Sequence, residues 1–278
     1  MKNWKLFSAN KYVSKYVECY WFLQKEANDK GSEHPKLYPD PSAHLLIAKS
    51  DYQYQYQSES QIFSGLGSHV IYPSRHTYLM DHSKPFWVMG IKLKIGALYS
   101  LNTHLDPNKL NQVIMLDLPN LLALNNFDAD TFLVECLTEP ESIITILDKH
   151  LFQWIVDCRE DRSSELVRKV LPLLNTASLG ELGHLLYCSQ RTVERSFLKV
   201  TGFTLKQCQS MLRFETILEY LHEKDINHID WMSVAFEFGF SDQPHLIRHL
   251  KETIGATPSQ YAQQRDLTID VYGNFEFD

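Results

Sequence analysis

Near Asp117 the hydrophobic rhythm of this 278-residue chain changes, and that change limits the folds open to it. Before it, the runs are short and strand-like. "DYQYQYQ" (Asp51–Gln57) alternates strictly between aromatic and polar residues, as a half-exposed strand does. "AHLLIA" (Ala43–Ala48), "SHVIY" (Ser68–Tyr72) and "FWVMGIKL" (Phe86–Leu93) are separated by the turn formers "YPDPS", "SGLG" and "DHSKP". Many short strands so punctuated predict a barrel or sandwich over the first ~110 residues. After Asp117, apolar residues recur at helical spacing. Asp128–Glu139 and Glu141–Arg159 read as helices, the second with Ile143, Ile144, Leu147, Leu151, Trp154 and Ile155 on one stripe. That stripe suits a dimer seam and a core face equally. "REDRSSE" (Arg159–Glu165) is the most polar stretch nearby and the best linker candidate.

The closing hundred residues hold one unit twice. Ser178 and Glu181 predict a capping box for a helix through Leu186, and Ser189 is placed to cap a second helix running to about Lys199. Gly202 ends that unit, and Leu205–His222 reads as a long helix. The pattern then repeats. Trp231–Phe238 is a short helix, Gly239 breaks it, and Ser241 is expected to cap Asp242–Thr253. Gly255 stops that helix, and Thr257-Pro258 starts the last. A short helix, a tight turn and a second helix with an exposed polar face make the helix-turn-helix plan, whose second helix enters the major groove. Arg191, Arg195 and Lys199 are spaced i, i+4, i+8 on one face, with Val193, Phe197 and Val200 opposite. On the later helix His245, Arg248 and Lys251 are polar, while Leu246, Leu250 and Ile254 point inward. Arg suits guanine and Gln suits adenine, so Gln243 in the first turn is a candidate base reader. Lys199, Lys206 and Lys251 suit phosphates. One charged stripe alone is usually a solvated face; two in order, each with its cap and break, outweigh that reading.

Residues from about 164 to 264 resemble the DNA-binding domain of the AraC/XylS family of bacterial transcription regulators. "SVAFEFGFSDQPHLIRHLKETIGATPSQY" follows the family pattern A-x-x-x-G-F-S-x-Q-x-H-F-x-R-x-F-K-x-x-x-G-x-[ST]-P-x-x-Y. The matching positions are Ala235, Gly239, Phe240, Ser241, Gln243, His245, Arg248, Lys251, Gly255, Thr257, Pro258 and Tyr261. Leu246 and Leu250 replace phenylalanines. The earlier stretch "CSQRTVERSFLKVTGF" matches at Ser189, Arg191, Arg195, Phe197 and Gly202. Gly183 and Tyr187 stand where the family has Ala and Gly, the tyrosine at a turn that favours a relaxed backbone. The resemblance implies that the two reading helices share the long helix and enter successive major grooves. It puts base contacts at Gln190, Arg191, Glu194 and Arg195, and at Asp242, Gln243, His245 and Arg248. "YVECYWFL", "LYPDPSAHLLIA" and "VMGIKLKIGALYSL" resemble the amino-terminal barrel domain of one subgroup, although "YPDPSAH" lacks that subgroup's glycine.

The expected architecture is α+β in two domains. Residues 1–160 form a mostly-β, cupin-like barrel with trailing helices, for sensing or dimerisation; 161–265 form an all-α domain with two helix-turn-helix motifs; 266–278 are an acidic tail. The expected function is a sequence-specific transcription regulator, an activator in preference to a repressor. Its expected partners are promoter DNA, RNA polymerase, a small-molecule effector and a second copy of the chain. The competing expectation is a ligand- or partner-binding module whose DNA-binding domain is masked or weak. Net charge is −7 overall, but it divides as −3 over 1–160, zero over 161–265 and −4 over 266–278, so the reading region itself is not acidic.

Other functions find little in the sequence. The five cysteines are scattered, which suits reduced thiols in a cytoplasm. The first residues form no apolar leader, and no run approaches the ~18 apolar residues of a membrane span. His34, His44, His69, His76, His82 and His104 invite a metal reading, yet the cupin H-x-H signature is missing, and His245-x-x-x-His249 is explained by its place on a reading helix. No phosphate loop, nucleophile elbow or H-E-x-x-H is present, so no catalytic residues, metal or cofactor are expected. Trp21, Tyr38, Phe86 and Trp87 are candidate effector-pocket residues or plain core. Ile269, Val271, Tyr272, Phe275 and Phe277 around Gly273-Asn274 suit a hairpin that docks on the barrel or a partner, and the acidity of the same stretch suits a disordered tail equally.

Overall fold

A computed structural model of the chain describes residues 4–29, 32–101, 103–117, 121, 128–223, 229–255 and 257–263. The aromatic and β-branched runs of the front half pair as two antiparallel sheets. One follows the order β1 (Trp4–Ser8), β2 (Val17–Lys25), β9 (Phe86–Leu93), β4 (His44–Ala48), β7 (His69–Ile71), β10 (Val113–Met115). The other follows β3 (Lys36–Leu37), β8 (Tyr78–Met80), β5 (Gln53–Gln57), β6 (Ile62–Leu66). β5 shows why the alternating stretch is a strand: Tyr54 and Tyr56 are buried while Gln53, Gln55 and Gln57 face water. The space between the sheets is filled by Trp21, Leu23, Leu46, Tyr54, Tyr56, Tyr78 and Met80. Packing is tight enough that a Cβ on Gly90 would fall inside the Trp21 indole. His69 closes this core, stacked on Tyr54 at 3.9 Å and bonded to the Tyr56 hydroxyl at 2.8 Å. Burial lowers its pKa to about 4, so the ring is neutral at neutral pH.

The other side of the larger sheet is covered by helices. After α1 (Ala97–Ser100), Asp128 caps α2 (Ala129–Thr138) and α3 spans Pro140–Val156. Ile143, Leu147, Leu151 and Trp154 of α3 are buried with Tyr20, Phe22, Leu45 and Ile47. Asp148 accepts from the Tyr20 hydroxyl at 2.6 Å, which fixes the helix on the sheet. The apolar stripe is therefore a core face.

The polar stretch expected to be a linker is a joint. Asp161 and Ser164 form the capping box of α4 (Arg162–Val170). Asp161 also accepts from the Tyr99 hydroxyl at 2.7 Å and from Lys199 Nζ at 2.8 Å. Glu160 accepts from Tyr16 and Arg168, and from Ser164 Oγ at 2.8 Å. Burial alone would raise the Glu160 carboxyl, but these donors hold it down at about 2. Glu160 and Asp161 thus spend their polarity on hydrogen bonds between the halves, while Arg159, Arg162 and Glu165 face water.

Beyond α4 the chain is helical. The first short helix is split into a 3-10 turn (Leu179–Glu181) and α5 (Leu182–Leu185), and Ser178 makes no capping hydrogen bond, contrary to the expected capping box. The elements α6 (Gln190–Thr201), α7 (Leu205–Glu223), α8 (Trp231–Glu237), α9 (Gln243–Ile254) and α10 (Pro258–Gln263) follow. α7 joins two cores: Cys208 and Met211 pack with Val193, Phe197 and Phe203, whereas Phe214, Ile217 and Leu221 pack with Val234, Leu246 and Leu250. The repeat extends past the reading helices, since each ends on a left-handed glycine, Gly202 or Gly255. A Thr–Gln pair follows in both cases, with Thr204 N–H donating to Gln207 Oε1 and Thr257 N–H to Gln260 Oε1, each at 3.0 Å. The tail 266–278, with its expected hairpin, lies outside the described residues.

Candidate nucleic-acid interface

α6 starts where Ser189 stops being extended, and its Oγ accepts from Thr192 N–H at 3.1 Å. Val193, Phe197 and Val200 are buried, so Arg191, Glu194, Arg195 and Lys199 are left exposed on the other side. Arg191, Arg195, Leu198, Thr204 and Lys206 line a shallow groove between α6 and the start of α7. Two residues of this unit are already engaged. The Gln190 amide donates to Leu179 O at 2.8 Å and accepts from Gly183 N–H at 3.1 Å, tying α6 to the preceding turn. Lys199 is paired with Asp161 and lies over the Tyr99 ring at 5.2 Å.

The turn between α5 and α6 uses an unusual residue. Tyr187 holds φ at 56° with 97% of its surface exposed, whereas the matching turn of the second unit uses Gly239 at φ 70°. A side chain in this left-handed region costs roughly 1–2 kcal/mol. Gly183 has a separate reason: a Cβ there would sit 2.7 Å from Gln190 N and 2.9 Å from Cys188 O. The turn is thus closed more tightly than the family's alanine allows.

In the second unit the cap falls one residue later than expected. Asp242, at φ −166°, is the N-cap and accepts from His245 N–H at 2.8 Å, while Ser241 Oγ lies 3.2 Å from His245 Nδ1. Gln243 and Pro244 open α9, and proline in the first turn has no N–H that needs a partner. That proline is the signal in the sequence that favoured Asp242 as the cap. Asp242, His245, Arg248 and Lys251 are exposed, Gln243 is half-buried, and Leu246, Leu250 and Ile254 are buried. His249 packs between Phe214 and Phe240, with ring centroids 5.9 and 5.4 Å away. Burial lowers its pKa. Among the described residues no three His, Cys, Asp or Glu side chains are grouped as a metal site requires.

The four aromatics proposed for an effector pocket share no single cavity, although Phe86 and Trp87 line one cleft. Trp21 and Phe86 belong to the core between the sheets, and Trp87 lies under Lys49 at 4.7 Å. Tyr38 leaves the barrel altogether and packs edge-on against Phe214 at 5.1 Å, inside the core of the second helix-turn-helix unit.

Two capped helices of one plan, each with an exposed basic face and a buried apolar one, coincide with a sequence match. Residues 182–264 match a protein family described as a helix-turn-helix domain. The helical half of the chain thus carries a helix-turn-helix domain. Its barrel, residues 6–113, matches a family described as a domain of unknown function, DUF6597, a span that takes in most of β1 and ends within β10. A curated relative is the uncharacterized HTH-type transcriptional regulator YidL of Escherichia coli (strain K12). The two are 26% identical over 150 residues, which is 49% of this chain and 50% of the relative. The chain thus spans about half the length of the curated relative it matches. Among solved structures, ToxT from Vibrio cholerae is 11% identical with a TM-score of 0.47, covering 87% of this chain and 98% of ToxT. The AraC-like transcriptional activator CuxR is 10% identical with a TM-score of 0.25, covering 83% of this chain and 91% of CuxR.

Proposed function

We propose that this protein is an AraC/XylS-family, sequence-specific, DNA-binding transcription regulator of the cytoplasm, an activator in preference to a repressor. In this reading α6 and α9 enter two successive major grooves of one promoter duplex. The observation that carries it is the paired exposure of Arg191 and Arg195 on α6 and Arg248 on α9, each backed by a buried apolar face. Arg191, Arg195, Gln243 and Arg248 are the base readers, with Glu194 and His245 beside them. Lys206 and Lys251 take phosphates. Gln190 and Asp242 hold the two helix starts in place, because their side chains already bond to neighbouring backbone groups. Lys199 belongs to the joint with Asp161 more than to the duplex. Exposure of the arginines also weighs against the masked-domain alternative. RNA polymerase, a small-molecule effector and a second copy of the chain remain proposed partners on the strength of the family.

The test is affinity for promoter fragments as a function of salt. Phosphate neutralisation gives a log–log slope of about −0.9 per contact, so a regulator with several contacts loses affinity steeply. Arg248→Ala should cost about 1–3 kcal/mol on the true site and relax preference at one position, whereas Lys251→Ala should weaken all duplexes alike. Equal losses from both on every duplex would contradict this division of roles.

A further inference from the structure

One rim of the barrel touches both reading helices and the helix between them. It is built from the segment 36–40 and the segment 74–77, joined by Ser74 N–H donating to Asp40 O at 2.9 Å. Lys36 Nζ donates to the carbonyl of Ile254, the last residue of α9, and Thr77 Oγ1 donates to Thr253 O at 2.5 Å. Arg75 donates to the carbonyl of Gly202, the C-cap of α6, at 3.1 Å, with its guanidinium 5.5 Å above the Phe203 ring. Between these two points Tyr38 packs on Phe214, and Lys92 of β9 bonds Glu215 at 3.0 Å and Asp40 at 3.5 Å. Lys92 is 4% exposed, so this ion pair lies inside the contact between the halves.

The placement has a clear electrostatic sense. The last carbonyls of a helix lack partners within it and carry the negative end of its dipole, so a cation there completes the helix. Arg75 and Lys36 do this for α6 and α9 respectively, from two segments that Ser74 and Asp40 hold together. The same rim leaves Arg191, Arg195 and Arg248 exposed. A contact that grips the far ends of two helices while sparing their reading residues does not block DNA. It fixes the separation and angle at which the helices are presented.

We propose that this rim is a spacer for DNA reading, with Lys36, Arg75, Thr77 and Lys92 as positioning residues. The proposal rests on the DNA-reading function above. A protein so braced tolerates only one separation between the two half-sites it reads, since that separation is a geometric property of the docked helices.

The experiment uses the full chain and duplexes selected by the wild type from a random library, then altered by inserting one or two base pairs between the half-sites. Wild type should lose about tenfold or more per insertion, the scale of losing one helix's base contacts. The Lys36→Ala/Arg75→Ala variant should lose less than about threefold for the same insertion, with affinity for random duplex unchanged. Lys36→Arg/Arg75→Lys should restore the penalty. A variant that keeps the wild-type spacing penalty overturns the spacer. If the double alanine variant does not fold, Thr77→Val and Lys36→Gln are put through the same series with the same two outcomes. Failure of the wild type to select any duplex would sink the DNA reading instead. The brace is then judged by amide exchange at residues 198–202 and 251–255: faster exchange in the variants supports it, and unchanged exchange overturns it.

Discussion

Tyr187 is the residue where sequence and geometry pull hardest against each other. It adopts a left-handed backbone that glycine takes freely, and it buries almost nothing in return. Tyr187→Gly is therefore expected to stabilise the chain by about 1 kcal/mol, raising the midpoint of thermal unfolding by a few degrees. A lowered midpoint would show that the ring does something its exposure does not reveal. Gly90 is the opposite case. Its missing side chain is the room occupied by Trp21, so Gly90→Ala is expected to cost about 1–3 kcal/mol or more through overpacking, read by chemical denaturation. At this scale the exposed basic face of each candidate reading helix was legible. Arg191 and Arg195 have helical spacing behind a Ser189 cap that a local reading finds, and Arg248 has the spacing, although its helix is capped by Asp242 instead of Ser241. Gln190 and Lys199 were not assignable, because their engagement depends on where Gly183 and Asp161 fall in space.

At the scale of elements, periodicity decided most of the outcome. β4, β5, β7 and β9 lie within the runs that alternation and β-branching marked, and α3 follows its apolar stripe. The stripe could not say what it packs against, since a core face and a dimer seam share one pattern; the Tyr20–Asp148 bond and the buried ring of Trp154 decide for the core. The joint at Glu160 and Asp161 was hidden for a related reason: polar residues paired across the chain look like polar residues in water. The barrel core makes a pH prediction of its own. His69 has a folded pKa of about 4, below the ~6.5 of an unfolded histidine. Its stabilising contribution is complete above pH 6.5 and is lost as pH falls towards 4, up to about 3 kcal/mol. His82, also lowered to about 3 by burial, adds a loss of the same sign. Denaturation between pH 4 and 7 should show a shallower loss of stability in His69→Phe than in wild type. Identical slopes would mean that His69 is not the neutral, buried ring described.

At the scale of the whole molecule, the halves are less separate than a linker reading implied. The first helix-turn-helix core receives Ile95, Tyr99 and Leu110 from the front half, and the second receives Tyr38. A fragment beginning at residue 161 loses those contacts. It is expected to unfold at a lower denaturant midpoint than the same helices in the full chain, followed by helical circular dichroism. Equal midpoints would mean that the contacts add nothing to the reading domain. No local pattern foretells them, because Tyr38 and Phe214 are 176 positions apart. The central claim is that α6 and α9 read one duplex at two adjacent grooves. Hydroxyl-radical footprinting on a selected duplex tests it most directly. Two protected segments about 10 base pairs apart are expected, with Arg195→Ala erasing one and Arg248→Ala the other. A single protected segment, or both variants erasing the same one, would contradict it.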